Sequence, residues 1–211
     1  MSLYNQKQVI FLIREPLTLR DYQRFGIKNW IARGWKVRVF DITVILRPKF
    51  WTYVNGDKIS YNFKGLKFFK NINEVLSEFS SLKNKVVFID NIGFSSTEQK
   101  IRKLAHSHGV LIRMKLGSIP FYNTKKNIWE LFFSIKKPIF FVRKLISFIQ
   151  NKFENIRSKE FPPDYIVIGG RKSMMGINNQ KTSIIKAHNF DYDFFIKKKQ
   201  IKKKKKIIFY F

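Results

Sequence analysis

The sequence predicts an α/β domain: a mostly parallel, Rossmann-like sheet with helices on both faces and a small hairpin excursion. Three observations carry this. Short, nearly continuous apolar runs such as Val9-Ile10-Phe11-Leu12-Ile13 recur along the chain, as strands buried on both faces require. Segments of helical period with capping residues separate them. Strands alternating with helices close into a parallel sheet through crossover connections.

The first strand is predicted over residues 8–13, and Arg14-Glu15-Pro16 ends it. Thr18 and Asp21 have the spacing of a capping box, so a helix should run from there to about Arg33. Tyr22, Phe25, Trp30 and Ile31 would form its inner face, and Gly34 would stop it. Residues 35–40 form the second strand, ended by Asp41. Leu46-Arg47-Pro48 then breaks the pattern. Asn55-Gly56, between Trp51-Thr52-Tyr53 and Ile59-Ser60-Tyr61, predicts a hairpin turn. Residues 73–82 should be helical and residues 85–89 a strand ended by Asp90-Asn91. The next helix covers residues 96–108, with Ser95 or Ser96 as cap and Gly109 as stop. Residues 110–114, 165–168 and 183–186 complete the strands.

With 211 residues and 45% apolar composition, the chain supports one substantial core. Residues 1–193 are read as that domain, and residues 194–211 as a lysine-rich tail outside the fold. Cysteine is absent, which excludes disulfides and thiolate metal sites. No segment has the pattern of a signal peptide, and no uncharged apolar run approaches the roughly 20 residues of a spanning helix. The expected location is cytoplasmic, peripheral at the inner face of the cell membrane.

The charge balance is extreme: 42 Lys and Arg against 14 Asp and Glu, a net +28. Eight of the lysines lie between Lys197 and Lys206, so the remainder is strongly basic too. Such a surface attracts polyanions, whether anionic lipid, nucleic acid or phosphorylated small molecules. The abundance of Lys, Asn, Ile and Phe also fits an AT-rich coding bias. The tail, almost wholly encodable by A and T, suggests a frameshift or premature stop; a real polybasic tail is the competing reading.

Residues 124–160 combine dense apolar mass with basic residues. Trp129, Phe132, Phe133, Phe140 and Phe141 interleave with Lys136, Lys137, Arg143 and Lys144, and Pro138 should kink any helix. Two readings fit: a helix lying in a membrane interface, or a helical pair closing over the sheet.

Several catalytic signatures are missing. Arg14-Glu15-Pro16-Leu17 stands where a dinucleotide fingerprint or phosphate loop would lie, which argues against an NAD enzyme, a P-loop NTPase and the usual methyltransferase loop. His106 and His108 lack carboxylate or cysteine companions, and read as surface residues at a helix end. The remaining candidates sit at strand ends, where parallel sheets bind ligands. Glu15, Asp41 and Asp90 are candidates for a general base, or simply for capping. Gly169-Gly170 would let backbone approach a ligand or merely turn the chain, and Arg171 and Lys172 would hold phosphate or be two ordinary members of the basic surface. His188 is a weaker catalytic candidate.

Residues 164–170 (DYIVIGG) and 184–193 (IIKAHNFDYD), with residues 15–21 (EPLTLRD) and 34–41 (GWKVRVFD), resemble the N-terminal half of GT-B fold glycosyltransferases of bacterial surface-polysaccharide (lipopolysaccharide or capsule) synthesis. The resemblance spans about residues 7–193. It lacks the Gly-rich turn common after the first strand of those enzymes. It implies an acceptor-binding domain that supplies the base, with a second domain or a separate chain for the nucleotide sugar. It also implies no bound metal or other cofactor, and a lipid-linked acceptor at the membrane. Nucleic acid binding is the alternative that the charge alone supports, but no RNP-like or zinc-finger pattern accompanies it.

Overall fold

The structure is a computed structural model and describes residues 7–82, 85–115, 160–169 and 182–187, together with Val142, Ile146, Ile149, Phe153 and Ile156. Seven strands form one sheet: β1 (Gln8–Ile13), β2 (Lys36–Asp41), β3 (Leu66–Phe68), β4 (Val86–Asn91), β5 (Gly109–Lys115), β6 (Tyr165–Gly169) and β7 (Ser183–Ala187). Their spatial order is β3-β2-β1-β4-β5-β6-β7, and every adjacent pair is parallel. This is a Rossmann-like α/β fold.

The pleat of the central strands sorts the core into two layers. Val9, Phe11 and Ile13 of β1 pack with Val37, Val39 and Ile89 against Leu17 and Ile27. Ile10 and Leu12 pack with Phe40, Phe88 and Leu111 against Val75, Phe79, Ile101 and Ala105. Strand β1 is apolar throughout because both of its faces are covered, and Val9 to Leu12 have no exposed surface.

The first layer is roofed by α1 (Leu19–Arg24) and α2 (Ile27–Ala32). The helix expected over residues 18–33 is therefore two helices. Thr18 caps α1 as the spacing predicts, its Oγ1 accepting from the Asp21 N–H at 3.2 Å. Gly26 then turns left-handed (φ +62°), a conformation that favours glycine, and α2 starts on the next residue. Gly34 follows α2 with φ +79°, the expected stop.

The hairpin expected around Asn55-Gly56 is absent. In its place stand three short helices: α3 (Thr43–Leu46), α4 (Pro48–Tyr53) and α5 (Gly56–Ile59). Pro48 opens α4, where a missing N–H costs nothing. Asn55 does adopt the left-handed conformation that a hairpin turn needs (φ 49°, ψ 60°), but it uses it to join two helices. A side chain at Gly56 would collide with the Trp51 ring, so the Asn-Gly pair answers to helix packing here. Strand β3, only three residues long (Leu66-Lys67-Phe68), pairs with β2 at the sheet edge.

On the second layer, α6 (Ile72–Ser80) starts at Asn71, whose Oδ1 accepts from the Glu74 N–H at 3.0 Å. Helix α7 (Ser96–His108) has a full capping box, with the Ser95 side chain and the Glu98 carboxylate exchanging backbone hydrogen bonds. Gly109 ends α7 and opens β5 with extended backbone, and a side chain there would strike the Val86 carbonyl of β4. Among the described residues, no helix is long and apolar enough to cross a membrane.

Candidate functional site

Strand β1 lies between β2 and β4, so the chain leaves the centre of the sheet in two directions there. The crevice beyond the carboxyl ends of such strands is where parallel sheets bind ligands. A cavity of about 260 Å³ occupies that place, lined by Ile13, Arg14, Glu15, Pro16, Leu17, Asp21, Phe25 and Asn91. Its size is below the roughly 300–1,000 Å³ of sites for drug-sized ligands, so it suits one small polar molecule.

Its walls follow from the local sequence. Ile13 ends β1 inside the core, and Pro16 and Leu17 are buried as the loop turns into α1. That turn leaves Arg14 and Glu15 pointing outward. Glu15 is held from outside by Arg47, with Nη1 donating to Oε1 at 2.6 Å. Asp21 accepts the Thr18 hydroxyl at 2.6 Å and thereby fixes the first turn of α1. Phe25 stacks on Phe11 at 5.4 Å between ring centres. The Nδ2 of Asn91 is buried and has no hydrogen-bond partner.

The three carboxylates expected in one cleft do not share it. Glu15 alone lines the cavity. Asp41 is buried: its Oδ1 accepts from the Thr43 N–H (2.9 Å) and hydroxyl (2.5 Å), which starts α3. Burial pushes its carboxyl up to about 6, against hydrogen bonds from Thr43 and from the Leu17 backbone.

Asp90 is an internal anchor. Arg102, itself fully buried, donates to it from Nε (2.9 Å) and Nη2 (3.2 Å); Arg113 donates from Nε (3.1 Å) and Nη2 (2.5 Å). Burial alone would push the Asp90 carboxyl up, but Arg113 and Arg102 outweigh it and hold it below its ordinary value. Arg102 also donates to the Gly93 carbonyl (2.7 Å) and to Gln99 Oε1 (2.9 Å), and both guanidiniums lie over the Phe94 ring. The strand pleat turns Asp90 away from the cavity. In β4, Asp90 shares the parity of Phe88, which faces α7, whereas Asn91 shares the parity of Ile89, which faces the cavity layer.

Gly169 ends β6 beside Ala187 of β7, and β5 separates β6 from β4, the nearer of the two cavity strands. Gly170, Arg171, Lys172 and His188 lie outside the described residues, as do Trp129, Phe132, Phe133, Lys136, Lys137, Phe140, Phe141, Arg143 and Lys144. Within that longer segment, Val142, Ile146, Ile149, Phe153 and Ile156 are helical and 44–60% exposed. Their spacing of four, three, four and three puts them on one stripe of a helix.

His106 and His108 are tied into the fold. His106 Nε2 lies 2.7 Å from the Pro162 carbonyl, and the His108 ring meets Phe79 edge-on. Among the described residues, no group of three or more His, Asp or Glu converges as metal ligands. Sequence reasoning overlooked Asp21 and Phe25 as cavity residues because they read as cap and core; Arg14 and Asn91 were legible only as strand-end positions. Comparison with protein-family models, curated proteins and solved structures finds no match to this chain.

Proposed function

We propose that this domain is the acceptor side of a glycosyltransferase-like protein of bacterial surface-polysaccharide synthesis, working at an anionic membrane surface. One observation carries the reading. The small cavity at the centre of the sheet edge combines two carboxylates, an amide, a guanidinium and an aromatic ring. That is the set of groups that grips a sugar: planar polar groups for vicinal hydroxyls and a ring for the apolar face. In this reading Asp21 holds the sugar and Glu15 is the base. Glu15 takes the proton of the acceptor hydroxyl while that oxygen attacks the anomeric carbon of a nucleotide sugar, and the nucleoside diphosphate leaves with the bonding electrons. The donor sits on a second domain.

The exposed stripe Val142, Ile146, Ile149, Phe153 and Ile156 supports the membrane location. The sequence between and just beyond these positions carries Arg143, Lys144, Lys152, Arg157 and Lys159 against Glu154 and Glu160, the basic excess that an interfacial helix on anionic lipid requires.

The test is calorimetric titration of the purified protein with a lipid-linked oligosaccharide in detergent and with a panel of nucleotide sugars. The reading expects saccharide binding that Asp21→Ala abolishes, without tight nucleotide-sugar binding. A nucleotide sugar bound tightly at this cavity would place the donor here and overturn it.

A further inference from the structure

We infer that the cavity between β1 and β4 takes a sugar carrying a phosphate, with Arg14 and the Asn91 amide as the groups that bind the phosphate. This deepens the acceptor reading and rests on it. Glu15 is neutralised by Arg47 at 2.6 Å. Asp21 is occupied by the Thr18 hydroxyl at 2.6 Å, with Arg20 at 3.7 Å. Arg14 lines the same cavity with no hydrogen bond or ion pair among the described residues. Its guanidinium is the cavity cation with no ion-pair partner within 4 Å among the described residues.

Arg14 also has a defined seat. A side chain at Gly93 would come within 2.5 Å of Arg14 Nη1 and 2.9 Å of both Glu98 carboxylate oxygens. The bare backbone of Gly93 is what admits the guanidinium beside β4. Glu98, whose oxygens accept the N–H groups of Gly93 (2.8 Å) and Ser95 (2.6 Å), makes no ion pair with it within 4 Å. The second donor is Asn91 Nδ2, buried on the cavity side of β4 without an acceptor. A buried amide hydrogen with no partner is costly, and a ligand oxygen removes that cost. A guanidinium and an amide, both donors at one edge of a polar cavity, match a phosphate rather than a cation or a neutral rim.

The phosphate has two possible sources: a soluble sugar phosphate, or the phosphate linking a sugar to a lipid carrier. Calorimetry on the full chain with glucose, glucose 6-phosphate, inorganic phosphate and a short-chain isoprenyl phosphate in detergent separates them. Either phosphorylated organic ligand should bind at least tenfold more tightly than glucose. Arg14→Gln should remove that advantage, while Arg33→Gln, an equal loss of charge at an exposed site, should change it less than twofold. The Asn91 side-chain amide resonances should shift on binding in the wild type. Because Arg14 is exposed, its variant is expected to fold, and circular dichroism checks this. Glucose binding as well as its phosphate would overturn the inference and leave the acceptor reading standing. An equal loss in Arg33→Gln would reduce it to general charge attraction and overturn it. Absence of binding by every probe would overturn both.

Discussion

Replacing Asp90 by Ala removes the one anion between two guanidiniums. Arg102 has no solvent exposure and keeps only Gln99 and the Gly93 carbonyl; Arg113, at 18% side-chain exposure, can turn partly toward water. Stranding one partner of a buried ion pair costs about 3–5 kcal/mol. Against a typical total stability of roughly 5–15 kcal/mol, that is a third or more. Urea unfolding followed by tryptophan fluorescence at pH 7 reads it directly: with a slope of about 2 kcal/mol per molar, the midpoint should fall by about 2 M. The pH dependence has a fixed sign. The folded-state value of Asp90 is depressed, so its contribution is present above the unfolded value of 3.8 and is lost as pH falls through the folded one. The gap between wild type and variant should therefore narrow in acid. A loss below about 1 kcal/mol at pH 7, with no narrowing in acid, would mean that Asp90 is not the anchor and would return it to the list of candidate bases.

Asp41 has the opposite sign. Its value rises from 3.8 to about 6, so the stability tied to its protonated form is present below 3.8 and lost as pH rises through 6. The difference amounts to about 3 kcal/mol. Asp41→Asn keeps the Oδ1 acceptor for Thr43, so it should be the more stable protein at pH 7.5, with the difference shrinking below pH 5; lower stability at both pH values would refute this. Ser95→Ala breaks the capping box of α7 and should cost about 1 kcal/mol in the same urea assay. Ile146→Glu with Ile149→Glu puts charge on the exposed stripe and should abolish co-sedimentation with phosphatidylglycerol vesicles while leaving the melting temperature unchanged; retained binding would remove the stripe from the membrane account.

The sheet was legible because its inner strands are buried on both faces. The apolar runs around Ile10, Phe40 and Phe88 have no other economical place to go. Helix α7 was legible because Ser95 and Glu98 state their bonding in the sequence. The hairpin misreading at Asn55 arose from a local preference for left-handed backbone that a hairpin and a helix junction satisfy equally. Strand β3 has three residues and an exposed edge, too few to show a period. For the site, the strand-end rule led to Glu15, Asp41 and Asp90 together. It could not say which pleat face each occupies. Parity separates Asn91 from Asp90, but the face that each layer of helices covers is a tertiary fact. Arg102 was invisible for a related reason: a buried arginine on a helix reads as a surface residue until its carboxylate partner, twelve residues earlier in sequence, is placed beside it.

The account centres on the cavity beyond β1 and β4 as the place where an acceptor sugar is held. Backbone amide and side-chain NMR of the labelled protein, titrated with a lipid-linked oligosaccharide in detergent, tests that claim most directly. The account predicts saturable shifts at Arg14, Glu15, Leu17, Asp21, Phe25 and Asn91, with residues of the β3 edge unmoved. Saturable shifts elsewhere with those six residues silent would contradict it.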